Sequence, residues 1–389
     1  MKILFVHNKY QKIGGEDSVL ENEMSLLKQH GHEVLLYSVS NDSIKNFYDK
    51  IKVFKNIHYS PKQKKLISNF IIKHKPDIVH VHNFFPQITP SVFDACVDNN
   101  VPVVSTLHNF RLICPSAILM HKNKLYEKSF KYGAYSTIID KVYKNSFIGT
   151  YAVAKMIEYH KRKNTWNLKV DQFIALTNFA KSKFLDAGFL SDKISIKPNF
   201  CNLSDSTLNQ KRDGVLFVGR LSEEKGLHVL LESWKKMKVK LKIIGDGPLL
   251  DSVKNCNNKY IKYLGFMKQE DIFLEMKKSS FLVFPSIWYE GFPMVILESF
   301  ANGLPVVASN LGSMSEIIKN NYNGLHFSAG DSNDLLKKVD SLIHDKNKCN
   351  QLSKNAINDY NENYSAKNNY ELLLKIYKKV INDKQSKNS

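Results

Sequence analysis

Two glutamates eight residues apart, Glu290 and Glu298, stand in the stretch FPSIWYEGFPMVILESFANGLPVVAS at 284–309. The apolar run before them reads as a strand ending near Ser286, and Pro293 stands where the next helix would begin, as its locked φ and missing N–H permit. Free backbone N–H groups at that helix start, around Phe292, Met294 and Val295, make an anion site. Glu290 and Gly291 then sit in the loop at its mouth, and Glu298 a turn or so behind it. Two carboxylates beside a phosphate site suit a nucleotide sugar, because they accept hydrogen bonds from sugar and ribose hydroxyls. Without that chemistry, Glu290 is an ordinary loop residue and Glu298 an ordinary helix-surface one.

A second cluster, VLFVGRLSEEKGLHVLLES at 215–233, delivers Arg220 to the carboxyl end of a strand. Gly219 beside it lets backbone approach closely, and Lys225 follows five residues later on the same loop. Two cations so placed fit a diphosphate clamp; the competing reading is a surface salt bridge of Arg220 with Glu223 or Glu224. Near the start of the chain, Gly14 and Gly15 precede a helix over about 16–29 and can present N–H groups to a phosphate. They match neither G-x-G-x-x-G nor a P-loop, and the GDG at 245–247 lacks a third glycine, so nicotinamide binding is poorly supported. His108 closes the strand-like run PVVSTLHN. His80 and His82 alternate with Val79 and Val81; with no carboxylate neighbour in sequence they read as packing residues, not metal ligands.

These residues need a scaffold that gathers strand ends. Apolar, β-branched runs alternate with helical patterns: KILFVHN, EVLLYSV, DIVHVHN, PVVSTLHN, QFIALT and KISIKPN in the first half, then GVLFVGRL, KLKIIGDG, IKYLGFM, SFLVFPS, PVVAS and GLHF. Such runs signal parallel sheets covered on both faces. The reading is an α/β protein of two doubly wound, Rossmann-like domains facing a central cleft. The expected divisions are 1–200, 201–365 with a polar linker at 201–214, and a terminal helix and tail over 366–389 that can return to the first domain.

The chain has 389 residues and a formal net charge of +19. Only Arg111, Arg162, Arg212 and Arg220 are arginines, against 52 lysines, which disfavours base-specific reading of nucleic acid. The excess is uneven, +13 in residues 1–200 and +6 in 201–389. The five cysteines are widely and irregularly spaced, indicating neither a disulfide framework nor a zinc site. No apolar run is long enough to span a membrane, and MKILFVHN is broken by His7 and Asn8 before a secretory core could form. The expected setting is the cytoplasm.

Taken together, the chain resembles the family 4 retaining glycosyltransferases with the GT-B fold, of the bacterial surface-polysaccharide type. The resemblance is carried by the Gly14-Gly15 loop, TLHN at 106–109, PNF at 198–200, VGRLSEEKG at 218–226, GDGP at 245–248 and the paired glutamates of WYEGFPMVILES. It implies that Arg220 and Lys225 neutralise the donor diphosphate, Glu290 and the backbone after Gly291 hold the sugar, and Glu298 holds the ribose. It also places Gly15 at the diphosphate, His108 beside the transferred sugar and the base near Phe266 and Met267. The implied reaction uses a UDP- or GDP-sugar, with no cofactor and no metal, and passes it to a glycan or lipid-linked acceptor. The chain departs from the nearest subgroup where Tyr126 and Ser129 replace a C-x-x-C pair, although Cys114 is kept. The role of 111–165 is therefore not carried over.

The basic first half suits an anionic membrane surface at the inner face of the cytoplasmic membrane. PKQKKLISNFIIKHK at 61–75 is the candidate helix, with Leu66, Ile67, Phe70 and Ile71 on one face and lysines around them; the competing reading is that this apolar face packs on the sheet and the lysines are solvated. Competing readings are a sugar-nucleotide epimerase on the same fold and a charge-driven nucleic-acid binder, which would show steep salt dependence.

Overall fold

Near-continuous apolar strands bury both faces only when helices cover a parallel sheet on each side, and the chain builds this arrangement twice. The computed structural model describes residues 1–11, 14–201 and 212–386. Most of the linker expected over 201–214 and the last three residues of the tail lie outside the described residues. The chain divides into one unit of Met1–His121, Tyr126–Pro198 and Asn369–Ser389, and another of Lys122–Leu125 and Asn199–Asn368.

The first unit holds a six-stranded parallel sheet in the order Glu33–Ser40, Lys2–Lys9, Ile78–Asn83, Val103–Leu107, Gln172–Ala175, Ile194–Ile196. Its strand order reverses between Lys2–Lys9 and Ile78–Asn83, the place where an open α/β sheet leaves a crevice beyond its strand ends. The terminal helix, Ala366–Ser386, belongs to this unit for most of its length: Leu373, Ile376, Tyr377 and Val380 are buried with Ile3, Phe5, Leu20 and Leu27. The helix Pro61–His74 does not offer the free apolar face expected of it. Ile67 and Ile71 are buried, and the Phe70 ring meets Tyr37 edge-on at 5.7 Å. Those residues cover the sheet, because a helix linking parallel strands must put its apolar stripe there.

The second unit has its own six-stranded parallel sheet, ordered Ile261–Gly265, Leu241–Ile244, Val215–Val218, Phe281–Phe284, Val306–Ser309, Gly324–Phe327. Alternate residues of one strand feed opposite cores. Val215 and Phe217 pack with Leu230 and Trp234, whereas Leu216 and Val218 pack with Ile296 and Phe300. The order reverses between Val215–Val218 and Phe281–Phe284, so the loops carrying Arg220 and Glu290 leave the two strands that flank the crevice.

Glycines lock those loops together. A Cβ on Gly226 would lie 1.8 Å from the Pro285 carbonyl oxygen, and one on Gly245 would lie 1.9 Å from that of Gly219. Gly226 also has a φ of 70°. Replacing Gly226 by alanine is therefore expected to destabilise the fold by about 3 kcal/mol through strain and backbone clash. For a unit of this size that is a fall in melting temperature of roughly 6 to 12 °C, read by calorimetry; an unchanged melting temperature would show that the loops do not interlock.

Candidate functional site

The strand Phe281–Phe284 ends in a loop whose side chains converge on one atom. Glu290 is 5% exposed, and its Oε1 accepts hydrogen bonds from Lys225 Nζ, Ser286 Oγ and Trp288 Nε1, each at 2.7 Å. Its other oxygen, Oε2, has no partner among the described residues. One half of the carboxylate is thus pinned and the other is left to accept a hydroxyl from outside the protein. Lys225 is held in turn over the rings of Phe284 and Trp288, 5.3 and 5.5 Å from their centres.

Arg220, two residues past the strand Val215–Val218, is exposed. The salt bridge that would explain it away does not form: Glu223 faces His228 at 3.5 Å, and Glu224 accepts from Ser222 Oγ at 2.7 Å. No carboxylate among the described residues pairs with this guanidinium. Its loop is propped by the GDGP segment, whose Asp246 carbonyl accepts from Leu221 N at 2.9 Å. The GDG that a reading for cofactors weighs as a fragment of a nucleotide motif is a support for the Arg220 loop. Gly219 would tolerate a Cβ, which would meet only the Phe217 ring at 3.6 Å.

The helix Met294–Ala301 begins after Pro293, with Pro293 in extended backbone and no side chain capping the first turn. Its leading N–H groups have no earlier helical carbonyl to bond. Glu298 lies one turn inside, accepting from Gln269 Nε2 at 3.0 Å. Burial raises its carboxyl above the usual glutamate range, and the Gln269 hydrogen bond offsets this in part. Gln269 opens the helix that follows Phe266 and Met267; Phe266 is 80% exposed, while Met267 packs against the core. The second unit therefore gathers Gly219, Arg220, Lys225, Phe266, Met267, Glu290, Gly291, Phe292, Met294, Val295 and Glu298 on strand-end loops and helix starts of one sheet.

Gly14, Gly15 and His108 lie in the first unit. Gly14 precedes the helix Gly15–Gln29, its N–H donating to Asp17 Oδ2 at 2.9 Å, and its backbone is one that any residue adopts. His108 follows the strand Val103–Leu107 and is half-buried. The premise that no carboxylate neighbours His80 and His82 needs correction, since Glu23, from the helix Gly15–Gln29, places one beside both buried rings. Ligand atoms of these three residues lie within 4.8 Å of one another. His80 and Glu23 Oε1 are already engaged, whereas Glu23 Oε2 and His82 Nε2 have no hydrogen-bond partner among the described residues. His80 meets Tyr377 OH and Thr106 Oγ1, each at 2.7 Å, and the fully buried Lys197 ammonium stands 2.5 Å from Glu23 Oε1. A cation in that position opposes a metal ion electrostatically.

Ser286, Trp288, Gln269, Glu23 and Lys197 were missed by sequence reasoning. Ser286 and Trp288 stand within the stretch that singled out Glu290, but no spacing reveals that both point at one oxygen.

Two doubly wound sheets, one carrying a cationic and a pinned acidic side chain at its switch point, define a nucleotide-binding α/β protein of GT-B architecture. Residues 13–205 match the model Glycosyltransferase Family 4, and residues 202–359 match Glycosyl transferases group 1. An uncharacterised glycosyltransferase of Methanocaldococcus jannaschii is 30% identical over 368 residues, covering 92% of each chain. The Escherichia coli UDP-Gal:alpha-D-GlcNAc-diphosphoundecaprenol alpha-1,3-galactosyltransferase is 25% identical over 374 residues, 89% of each chain. Anabaena Alr3699/HepE, solved in complex with UDP, superposes with a TM-score of 0.69 at 19% identity, covering 97% of this chain and all of that one, a likeness of fold. The chain belongs to the family 4 glycosyltransferases, a retaining family.

Proposed function

We propose that this enzyme transfers a sugar from a UDP- or GDP-sugar to a lipid-linked glycan acceptor in the assembly of a bacterial surface polysaccharide, at the inner face of the cytoplasmic membrane and without a metal ion. The observation that carries the reading is Glu290, with one oxygen pinned by three donors and the other open, together with an exposed Arg220 on the loop that supplies Lys225, without a carboxylate partner among the described residues. Glu290 Oε2 accepts sugar hydroxyls, and Gly291 with the N–H groups of Phe292, Met294 and Val295 supports sugar and phosphate. Arg220 and Lys225 neutralise charge that builds on the departing diphosphate, the task a metal performs elsewhere. Gly14 and Gly15 approach the diphosphate, Gly219 admits it beside Arg220, and Phe266 and Met267 receive the base. His108 lies beside the sugar, and Glu290, His108, Arg220 and Lys225 make up the catalytic set. Retention follows a front-face, oxocarbenium-like step in which the diphosphate helps to take the acceptor proton. The Escherichia coli relative, named for UDP-Gal and an undecaprenol diphosphate acceptor, supports the substrate class. Proton NMR of the product tests it: the new linkage keeps the anomeric configuration of the donor sugar, whereas inversion, or conversion of the donor with no acceptor consumed, would point to another reaction.

Glu298 holds the ribose hydroxyls as a carboxylate, and its raised pKa gives the binding a pH dependence. As pH falls through that value the acceptor is protonated and nucleotide affinity falls, beginning above the range of an ordinary glutamate. Folding stability moves the other way, because ionised Glu298 is the form that burial penalises. Calorimetric titration of UDP against pH checks this, and Glu298→Gln is expected to flatten the profile over the same window.

Lipid-linked acceptors place the first unit at an anionic surface. The residues suited to it lie on Phe47–Asn56, a helix with no buried residue, where Phe47 and Tyr48 are 72% and 82% exposed beside Lys50, Lys52 and Lys55. Aromatic side chains with lysines suit an anionic lipid interface. Sedimentation with phosphatidylglycerol vesicles is expected to be weakened by salt and by Phe47→Ser with Tyr48→Ser; binding indifferent to both would remove the membrane from the account.

A further inference from the structure

The first unit contains a chain of buried polar groups that ends at His108. Glu23 is fully buried, and its Oε1 meets Lys197 Nζ at 2.5 Å, both side chains being sealed from solvent. Burial opposes ionisation of Glu23, yet the adjacent ammonium holds its carboxyl well below the usual range, so the pair is ionic. The second oxygen, Oε2, lies 3.3 Å from His82 Nε2, within ion-pair distance but outside hydrogen-bond geometry, and neither atom has a hydrogen-bonding partner among the described residues. On the far side of the ring, His82 Nδ1 lies 3.0 Å from His108 Nε2. The remaining nitrogen of His108, Nδ1, has no partner among the described residues and is not sealed from solvent. His108 lines a pocket together with Tyr10, Asn83, Phe85, Asn109 and Arg111.

Charge and donor counting fix the protons along this chain. Glu23 and Lys197 already balance one another. A third charge, on His82, would stand uncompensated in a core where the Phe5 ring lies 5.4 Å away, so His82 is neutral. Facing a carboxylate that can only accept, neutral His82 carries its proton on Nε2. Its Nδ1 is then an acceptor, so His108 must carry its own proton on Nε2 to donate to it. The last link is His108 Nδ1, which is left as a bare lone pair. Burial pushes the His108 imidazole well below its ordinary range, consistent with a neutral ring.

We propose that Glu23 and His82 are positioning residues that fix the tautomer of His108, leaving its Nδ1 as a preset acceptor for a sugar hydroxyl. The functional half rests on the reading above that His108 lies beside the transferred sugar; the tautomer half does not. Three parts of the chain distant in sequence cooperate: Glu23 from the first helix, His82 from Ile78–Asn83, and Lys197, whose ammonium holds Glu23 ionised. The outcome is a hydroxyl preference, since Nδ1 can receive a donor but cannot offer one.

Long-range proton–nitrogen correlation spectra of histidine-labelled protein read the tautomers directly. In the native enzyme His82 and His108 are both expected to be neutral and protonated on Nε2. In Glu23→Gln the new amide keeps its oxygen toward Lys197 and donates to His82 Nε2, so both protons are expected on Nδ1. Transfer is then expected to fall about tenfold or more in kcat/KM, the scale of one lost hydrogen bond. Because Glu23→Gln leaves a buried ammonium without its anion, His82 variants serve as a second test. His82→Asn, whose Oδ1 takes the place of Nδ1, is expected to keep transfer within a few-fold, and His82→Ala to lose about tenfold. A doubly protonated His82, or His108 protonated on Nδ1 in the native enzyme, would overturn the relay. If the tautomers are as stated but His108→Ala transfers within a few-fold of wild type, the relay stands as structure and the placement of His108 at the sugar is wrong.

Discussion

Glu290→Gln is expected to lower kcat/KM by about 10²- to 10³-fold while leaving the protein folded, the range seen when one preorganised transition-state contact is removed. All three donors that hold the side chain converge on Oε1, at 2.7 Å each. Glutamine can keep its carbonyl oxygen there and turn its amide nitrogen outward. The fold then loses the charge opposite Lys225, a pair whose side chains are 19% and 6% exposed, at a cost of about 1.5–3 kcal/mol. The open position, however, changes from an acceptor to a donor, so a sugar hydroxyl meets an N–H group. Alanine would be a poorer test, because it strands the Trp288 N–H and the Lys225 ammonium and leaves the Ser286 hydroxyl only the Glu224 carbonyl. Steady-state kinetics with a thermal melt separates the two effects. Transfer within a few-fold of wild type would show that Glu290 does not hold the sugar.

Arg220→Ala is expected to act the opposite way round in the ledger of stability and binding. The side chain is exposed and has no carboxylate partner among the described residues, so its loss should leave the melting temperature within about a degree, as for most surface changes. Hydrogen bonds from a guanidinium to phosphate contribute about 1.5–3 kcal/mol each, so nucleoside diphosphate affinity should fall about 10- to 100-fold. The deficit should be smaller for the free nucleoside, which offers no phosphate. Arg220→Lys should recover only part of it, since an ammonium supplies charge without the planar fork. Equal losses for diphosphate and nucleoside would place Arg220 away from the diphosphate.

Much of this site is legible in sequence because its parts obey local rules. A rare arginine two residues past an apolar run is delivered to a strand end by strand geometry alone, and Pro293 marks a helix start by its own covalent structure. The terminal helix shows its apolar spacing at Leu372, Leu373, Ile376 and Tyr377, and three of these, Leu373, Ile376 and Tyr377, are buried. What sequence conceals is convergence across long separations. Glu23 and Lys197 are 174 residues apart and meet in a core where neither is exposed. Nothing in VHVHN at 79–83 announces the carboxylate that faces it. The expected membrane helix fails for a related reason: amphipathic spacing says that a stripe is apolar, and the packing around Ile67 and Ile71 decides what covers it.

The central claim is that the second unit carries a diphosphate site built from protein cations. Isothermal titration of the native enzyme with UDP and with GDP, in buffer containing EDTA, tests it most directly. The account predicts one site per chain for at least one of the two, persisting in the chelator and weakened 10- to 100-fold in Arg220→Ala. Absence of binding to either nucleotide, binding abolished by the chelator, or affinity unchanged in Arg220→Ala would contradict it.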